Sequence, residues 1–260
     1  MDLGLRDRVC VVTGASQGIG LAISARLAGE GAKVLMVARG EERLQAAAEP
    51  LGAEWLAADV TDPDCTQRIV ATAVEQLGGL DALVNNAGTS ARVPLERLTD
   101  DDFRDQFELS VMASIRLMRL AAPRMAERGW GRIVNVASSS GKRPSASNAA
   151  YSVAKAAQLS ASRVYADAYA ARGVLVNAIT PGPVETPLWM AEGGLADQAA
   201  QLAGTTREEA LASARGKLPI GRFATPEEIA DVAVFLCSER AGFVTGAAWS
   251  VDGGTVPIIV

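Results

Sequence analysis

Short runs of apolar, mostly β-branched residues alternate with amphipathic stretches along the whole chain. Apolar side chains at helical spacing predict helices at roughly 18–30, 41–50, 62–77, 100–128, 149–172 and 226–238. The runs between them predict seven strands, at 8–13, 33–38, 54–58, 80–85, 132–137, 174–180 and 247–251. Strands such as Val9–Val12 and Ile133–Val136 are nearly continuous apolar runs, as in a sheet covered by helices on both faces. The alternation therefore predicts an α/β fold with a doubly wound, seven-stranded parallel sheet.

One stretch breaks the pattern. In residues 188–219, Gly193, Gly194 and Gly204 interrupt a mixed apolar and polar run. Such a segment, late in a compact domain, is more typical of a mobile lid than of a core element, with an ordinary surface insertion as the alternative. No linker, repeat or change of composition divides the chain, so residues 1–260 are predicted to form a single domain with a substrate lid at about 188–219.

The composition narrows the class of protein. A hydrophobic content of 49% over 260 residues excludes a disordered chain, and the apolar runs are too short for a transmembrane helix. Residues 1–8 show no signal-peptide pattern, so the expected location is the cytoplasm. The net charge of −5, with no long basic block, makes nucleic acid an unexpected partner.

Missing residue types limit the chemistry. The chain has no histidine, which excludes Ser–His and Cys–His nucleophile systems and histidine-ligated metals. Cys10, Cys65 and Cys237 lie far apart in sequence, so we expect neither disulfides nor a zinc site. Catalysis must then use Ser, Tyr, Lys, Asp, Glu or a cofactor, and no metal is predicted.

A glycine-rich turn directly follows the first predicted strand and opens a helix. Gly14, Gly18 and Gly20 allow a tight turn and a close approach of backbone to a pyrophosphate. The free N–H groups and the partial positive charge of the helix N-terminus suit phosphate groups. In this strand–turn–helix context, the turn predicts a dinucleotide site.

Further motifs follow in order along the chain. Asn85–Gly88 ends the fourth predicted strand, Ser138 follows the fifth, and Tyr151 and Lys155 lie four residues apart on a predicted helix. Towards the C-terminus the motif residues are Pro181, Gly182, Thr186, Gly246 and Asp252–Gly254. With the glycine-rich turn, these motifs resemble those of the short-chain dehydrogenase/reductase family over the whole chain, and loosely its 3-oxoacyl-[acyl-carrier-protein] reductase-like branch.

The resemblance implies a single-domain Rossmann fold and an oxidoreductase with Ser138, Tyr151 and Lys155 as catalytic residues. It also implies a homotetramer, or a homodimer, built through the two long helices and the C-terminal strand. The cofactor site implied by the resemblance consists of Gly14, Ser16, Gln17, Gly18, Ile19, Gly20, Arg39, Asp59, Val60, Asn86, Ala87, Gly88, Tyr151, Lys155, Pro181, Gly182, Val184 and Thr186.

The chemistry of Tyr151 and Lys155 also follows from their spacing. Residues four apart share one face of a helix. An ammonium group beside a phenol stabilises the phenolate and is expected to lower the pKa of Tyr151 from its usual value of about 10. Such a tyrosine donates a proton to a carbonyl oxygen during reduction and accepts one during oxidation. Ser138 would bond the same oxygen, and the hydride would come from a cofactor.

One position departs from the family pattern. Ser110 stands where the family usually has an asparagine that holds, through a backbone kink and a water, a proton relay from the lysine to solvent. Serine is shorter, so we expect an altered relay in which activity persists. Neutral drift at a tolerant position is the alternative.

The end of the second strand bears on the choice of cofactor. Ala38 and Arg39 stand where NAD-type sites place an acid, and arginine can pair with the 2′-phosphate of NADP. Gln17, where many NADP-preferring relatives have a second basic residue, weakens this inference. NADP(H) is favoured and NAD(H) is the alternative.

These observations predict an NADP(H)-dependent ketoreductase or alcohol dehydrogenase acting on a small molecule, with a 3-oxoacyl thioester as one candidate substrate. Residues 89–94, 139–148 and the predicted lid would line the substrate pocket. One alternative is an NAD-linked secondary-alcohol dehydrogenase of the same fold. Another is a non-catalytic dinucleotide-binding protein, which Ser138, Tyr151 and Lys155 together disfavour.

Overall fold

A computed structural model describes residues 2–257 of the chain as a parallel sheet between two layers of helices. Within these residues the strands are β1 Val9–Thr13, β2 Lys33–Ala38, β3 Glu54–Ala57, β4 Ala82–Asn85, β5 Gly131–Val136, β6 Val174–Pro181 and β7 Ala248–Val251. Their order is β3-β2-β1-β4-β5-β6-β7, with every neighbouring pair parallel. The predicted fold is therefore confirmed.

The helices lie between the strands, and short additional ones follow β5 and β6. They are α1 Gly18–Gly29, α2 Glu41–Ala48, α3 Cys65–Leu77, α4 Asp100–Phe107, α5 Ala113–Glu127, α6 Ser139–Lys142, α7 Ala149–Tyr169, α8 Pro187–Met190, α9 Leu195–Ala203, α10 Arg207–Gly216 and α11 Pro226–Cys237. Among the described residues, none of the helices is long and apolar enough to cross a membrane.

Alternate side chains of the central strands supply two separate cores. Cys10 and Val12 of β1 belong to the core beneath α1, α2 and α11, whereas Val9 and Val11 belong to the core beneath α3, α5 and α7. Because both faces are covered, successive positions are all apolar, which is the pattern seen in the sequence.

The order of the strands reverses between β1 and β4. Chain segments leaving these two strands run in opposite directions, so a crevice opens at the carboxyl ends of the strands. The glycine-rich turn after β1 and the Asn85–Gly88 motif after β4 both lie at this crevice.

The predicted helix 100–128 is interrupted. A capping box between Thr99 and Asp102 starts α4, and a π-helical segment, Glu108–Met112, then joins α4 to α5. One wide turn of this kind marks many functional sites. It changes which side chains at 108–114 face the core, so the simple helical periodicity of the sequence does not place them.

The segment 188–219 is mostly helical, since α9, α10 and part of α8 lie in it. The broken periodicity of its sequence does not predict these helices. A capping box between Thr206 and Glu209 starts α10, and Arg207 pairs with Asp197 of α9 at 2.6 Å. Its role as a lid stays a prediction.

Candidate active site

A cavity of about 930 Å³ lies at the carboxyl ends of the strands, where the crevice opens. It brings together most of the site residues predicted from the sequence. Those that line it are Gly14, Ser16, Gln17, Gly18, Ile19, Arg39, Asp59, Val60, Asn86, Ala87, Gly88, Ser138, Tyr151, Lys155, Pro181, Gly182, Val184 and Thr186. Gly20 and Ser110 do not line it.

The glycine-rich turn forms one wall of the cavity. Gly14 and Gly18 have φ angles of +63° and +57°, which side-chain-bearing residues rarely adopt. A methyl group on Gly20 would lie 2.3 Å from the Gly14 carbonyl oxygen and 2.5 Å from Asn86 Nδ2. Gly20 therefore does not face the cavity but allows α1 to pack closely against the turn.

Asn86 fixes the turn from the neighbouring strand. Its Nδ2 donates hydrogen bonds to the carbonyl oxygens of Thr13 at 2.9 Å and Gly14 at 3.1 Å. Gln17 caps α1 with extended backbone and no side-chain bond to the helix, so no capping side chain occupies the N-terminus of α1 beside the cavity. This is a backbone cradle suited to phosphate oxygens.

A group of charged side chains lies at the end of β2. The Arg39 side chain is 79% exposed, and its Nη1 lies 4.0 Å from Asp59 Oδ2. Burial acts to raise the pKa of Asp59, but hydrogen bonds from Thr61 and the charge of Arg39 outweigh it and lower the pKa. The loose ion pair leaves the guanidinium of Arg39 available to another anion.

Arg43 also lines this end of the cavity, although the sequence motifs do not predict it. Its Nη1 donates to Gln17 Oε1 at 2.8 Å. Gln17 is uncharged, so Arg43 supplies the second positive charge at this position. Arg43 lies in the first turn of α2, which begins directly after Gly40, and this placement at the end of β2 is the feature of the sequence that points to it. Glu41 and Glu42 line the cavity there as well.

Ser138, Tyr151 and Lys155 meet at the other end of the cavity. Ser138 follows β5 and caps α6, with its Oγ accepting the Ser140 N–H at 3.1 Å. Tyr151 and Lys155 lie one turn apart on α7, and Lys155 Nζ is 5.6 Å from the centroid of the Tyr151 ring. The sequence spacing thus places the three side chains against one space.

Burial shifts the pKa values of Tyr151 and Lys155 in opposite directions. It raises the pKa of Tyr151, and the hydroxyl group of the neighbouring Ser138 offsets part of that rise. It lowers the pKa of Lys155 to about 7. With the protein's own groups alone, the expected lowering of the Tyr151 pKa by Lys155 does not appear. Tyr151 is a protonated acid at neutral pH.

The buried side of Lys155 is polar. Its Nζ donates to the Val136 carbonyl oxygen and to Gln158 Oε1, each at 2.9 Å. The sequence did not predict Gln158 or its partner Ser114, because a polar residue on an amphipathic helix is usually at the surface. Ser110 lies in the π-helical segment, fully buried, and its Oγ has no hydrogen-bond partner among residues 2–257.

Aromatic and apolar side chains also line the cavity. Leu109, Leu188 and Trp189 line the cavity, and the Trp189 ring makes an edge contact with Phe223 at 4.9 Å between centroids. The Arg92 guanidinium lies 5.4 Å from the Trp189 ring centroid and bonds Ser147 at 3.1 Å. The part of the chain that the structure describes has no cluster of acidic or cysteine residues able to hold a metal.

A doubly wound parallel sheet whose crevice combines a glycine-rich turn with serine, tyrosine and lysine side chains is typical of a dinucleotide-dependent oxidoreductase. Residues 14–256 match the family described as enoyl-(acyl carrier protein) reductase. The chain belongs to the short-chain dehydrogenase/reductase family, as its motifs indicated. It is an NAD(P)-dependent oxidoreductase of CH–OH and C=O groups, which confirms the predicted enzyme class.

Relatives of known activity cover nearly the whole chain. A 3-oxoacyl-[acyl-carrier-protein] reductase of Vibrio cholerae is 34% identical over 254 residues, 97% of this chain and 98% of the relative. A cis-4-hydroxycyclohexanecarboxylate dehydrogenase of Sinomonas cyclohexanicum is 39% identical over 253 residues, 95% of this chain and 96% of the relative. The crystal structure of L-sorbose reductase from Gluconobacter frateurii, complexed with NADPH and L-sorbose, superposes with a TM-score of 0.92 at 39% identity and full coverage of both chains.

Proposed function

We propose that this protein is an NADP(H)-dependent ketoreductase in which Tyr151 is the general acid. The observation that carries the proposal is the convergence of Ser138, Tyr151 and Lys155 on the cavity that the glycine-rich turn also lines. A dinucleotide fits this cavity because one end offers backbone N–H groups and arginines, and the other offers proton donors. NADP(H), when bound, supplies the hydride.

The protein's own groups would handle the proton and the charge. Tyr151 would donate its phenolic proton to the substrate oxygen, and Ser138 would donate a second hydrogen bond to the same atom. Lys155 would stabilise the resulting phenolate with its ammonium group. In the oxidation of an alcohol, the same phenolate would accept the proton.

Two arginines favour NADP(H) over NAD(H). Arg39 and Arg43 line the end of the cavity where the glycine-rich turn meets β2, and planar guanidinium groups suit a phosphate monoester. Three solved relatives were crystallised with this cofactor: L-sorbose reductase and actinorhodin polyketide ketoreductase with NADPH, and a gluconate 5-dehydrogenase homologue with NADP. Glu41 and Glu42 are the observation in favour of the alternative, an NAD-linked secondary-alcohol dehydrogenase.

The wall formed by Leu109, Leu188 and Trp189 favours a ketone with an apolar part beside the reacting carbonyl. A 3-oxoacyl thioester and a substituted cyclohexanone both satisfy this description. The Vibrio cholerae relative is named for a 3-oxoacyl compound, and the Sinomonas cyclohexanicum relative is named for a hydroxycyclohexanecarboxylate, an alcohol with the same ring.

Initial rates of NADPH and NADH oxidation against a panel of ketones test the proposal. The panel runs from an acetoacetyl thioester through cyclic ketones to a ketose. We expect turnover with NADPH on at least one apolar ketone, at a kcat/KM at least about tenfold above that with NADH. Tight binding of NADPH with no turnover on any member would support the non-catalytic alternative instead.

We also propose that the chain forms a homotetramer through α4 and α7. Phe103 and Phe107 of α4 and Val153 of α7 are exposed apolar residues around one groove. A double variant, Phe103→Asp with Phe107→Asp, is expected to reduce the assembly to dimers or monomers because each buried carboxylate would lack a partner. Light scattering after size-exclusion chromatography measures the mass.

The matched control is Val74→Asp on α3, an exposed apolar position outside the proposed interface. Its mass should equal that of the wild type, and circular dichroism should be unchanged in both variants. An unaltered mass in the double variant would refute this interface.

A further inference from the structure

A chain of three buried hydrogen bonds leads from Lys155 into the helix layer behind it. Lys155 Nζ donates to Gln158 Oε1 at 2.9 Å, and Gln158 Nε2 donates to Ser114 Oγ at 2.9 Å. Ser114 Oγ donates in turn to the Ser110 carbonyl oxygen at 3.0 Å. The four residues are each 4% exposed or less, so solvent does not compete for these bonds.

The direction of every bond in this chain is fixed. The amide oxygen of Gln158 can only accept and its nitrogen can only donate. Ser114 accepts from that nitrogen and must turn its own hydrogen towards the carbonyl of Ser110. This series of hydrogen bonds contains no titratable group beyond the lysine, and it ends on a backbone carbonyl that cannot release or take up a proton. It is therefore built to hold the lysine and not to conduct protons.

The chain also determines where the lysine can point. An ammonium group has three N–H donors, of which Val136 O and Gln158 Oε1 engage two. The third remains for the cavity, where Lys155 lies beside Tyr151. Without Gln158, the flexible lysine side chain would lose one of the two contacts that fix its head group.

We propose that Gln158, held by Ser114, is a positioning residue that orients the Lys155 ammonium towards Tyr151 and stabilises its charge. The inference rests on the proposed function of Tyr151 and Lys155. At Ser110, where the family usually has an asparagine, this series of hydrogen bonds ends on the backbone carbonyl oxygen and not on the side-chain hydroxyl group.

No charged side chain on the elements packed against α7 holds the Lys155 ammonium group in place of Gln158. Burial alone lowers the pKa of Lys155, to about 7, with no contribution from a charged neighbour. Lys142 of α6 bonds the Ala248 carbonyl, Glu108 of the π-helical segment pairs with Arg116 of α5, and Arg132 of β5 bonds the Ser238 carbonyl. On the other elements packed against α7, the charged groups are Asp100, Asp101, Asp102, Arg104, Asp105, Arg119, Arg124 and Glu127 of α4 and α5, and Arg172 of the short 3₁₀ turn that follows α7. On α7 itself, Arg163 pairs with Asp167. Tyr151 is the titratable group that faces the lysine.

Titration of Lys155 by NMR tests the inference directly and without activity. The chain has four lysines, Lys33, Lys142, Lys155 and Lys217, so a lysine-labelled sample gives few signals and Lys155→Met assigns the one in question. We expect Gln158→Glu to raise the pKa of Lys155 by about 1–3 units, because it places a carboxylate against the ammonium. Gln158→Met, of similar length and without an acceptor, should lower the pKa.

Kinetics give the second readout. Gln158→Met should reduce kcat about tenfold, the order expected for one lost hydrogen bond to a charged group, while the KM for the ketone stays within about twofold. Ser114→Ala should have a smaller effect of the same kind. The Gln158→Met/Ser114→Ala double variant should be no slower than Gln158→Met alone, because both changes break one chain.

Ser162→Ala is the matched control. Ser162 is a buried residue on the same helix, and its Oγ has no partner among the described residues, so its removal breaks no link to the lysine. An unchanged pKa of Lys155 in both Gln158 variants, with kcat within twofold of wild type, would overturn the inference. If the pKa shifts as expected and yet Tyr151→Phe is fully active, then the proposed function has failed and the lysine contact has not.

Discussion

Tyr151→Phe is expected to lower kcat for ketone reduction by about 10²- to 10⁴-fold, the range attributable to one general acid. The variant removes the phenolic proton and leaves the ring, so packing around α7 should not change. Binding of NADPH should stay within about threefold of wild type, because the cradle at the glycine-rich turn and Arg39 is untouched. Single-turnover kinetics separate the two effects, since they report the chemical step apart from product release.

The pH dependence of the wild type gives an independent check of the same assignment. Burial raises the pKa of Tyr151, so the tyrosine stays protonated and competent as an acid at neutral pH. Burial lowers the pKa of Lys155 to about 7, so the lysine loses its charge as the pH rises through that value. Reduction should thus be faster at pH 6 than at pH 9. Tyr169→Phe makes the same change on α7 at a tyrosine that does not line the cavity, so it serves as the activity control. Residual activity of Tyr151→Phe above about a tenth of wild type would assign the acid to another group.

The second large effect is expected from Arg39→Ala. Loss of hydrogen bonds between a guanidinium and a phosphate costs about 1.5–3 kcal/mol, which corresponds to a decrease of about 10- to 100-fold in kcat/KM for NADPH. The value for NADH should change by less than about threefold, because NADH has no 2′-phosphate for the guanidinium to bind. The ratio of the two specificity constants measures the effect and cancels any general loss of activity.

Arg26→Ala is a suitable control for Arg39→Ala. Arg26 is also exposed and also pairs with an aspartate, Asp231 at 2.9 Å, but it lies on α1 away from the cavity. It should leave both specificity constants unchanged. Equal losses with the two cofactors in Arg39→Ala would mean that Arg39 contacts the adenosine and not a phosphate. The preference for NADP(H) would then have to come from Arg43.

The sequence predicts the sheet well because its strands are buried on both faces. Two-sided burial makes a run such as Val9–Val12 almost uniformly apolar, and that signal needs no knowledge of the neighbouring strands. The motif residues could be predicted equally well from the sequence. Ser138 lies at the end of one strand, and Tyr151 and Lys155 lie one turn apart on one helix. Strand ends were less accurate, as in β4, which begins at Ala82 and not at 80.

What the sequence did not predict depends on contacts between distant segments. Ser114 and Gln158 are 44 positions apart, and they meet because the π-helical segment brings the start of α5 against α7. Arg43 reaches Gln17 only because α2 begins immediately after β2. The helices of 188–219 were hidden by glycines that turn out to lie at their ends, as Gly194 and Gly204 do on either side of α9.

The position of Trp189 has a practical consequence. Tryptophan occurs at positions 55, 130, 189 and 249, all within the described part of the chain, and of these Trp189 lines the cavity. Its fluorescence overlaps the absorption of a reduced nicotinamide, so energy transfer between the two reports their proximity. The enzyme thus contains an intrinsic optical probe in the wall of its own cavity, by which the arrival and departure of coenzyme can be timed without any label.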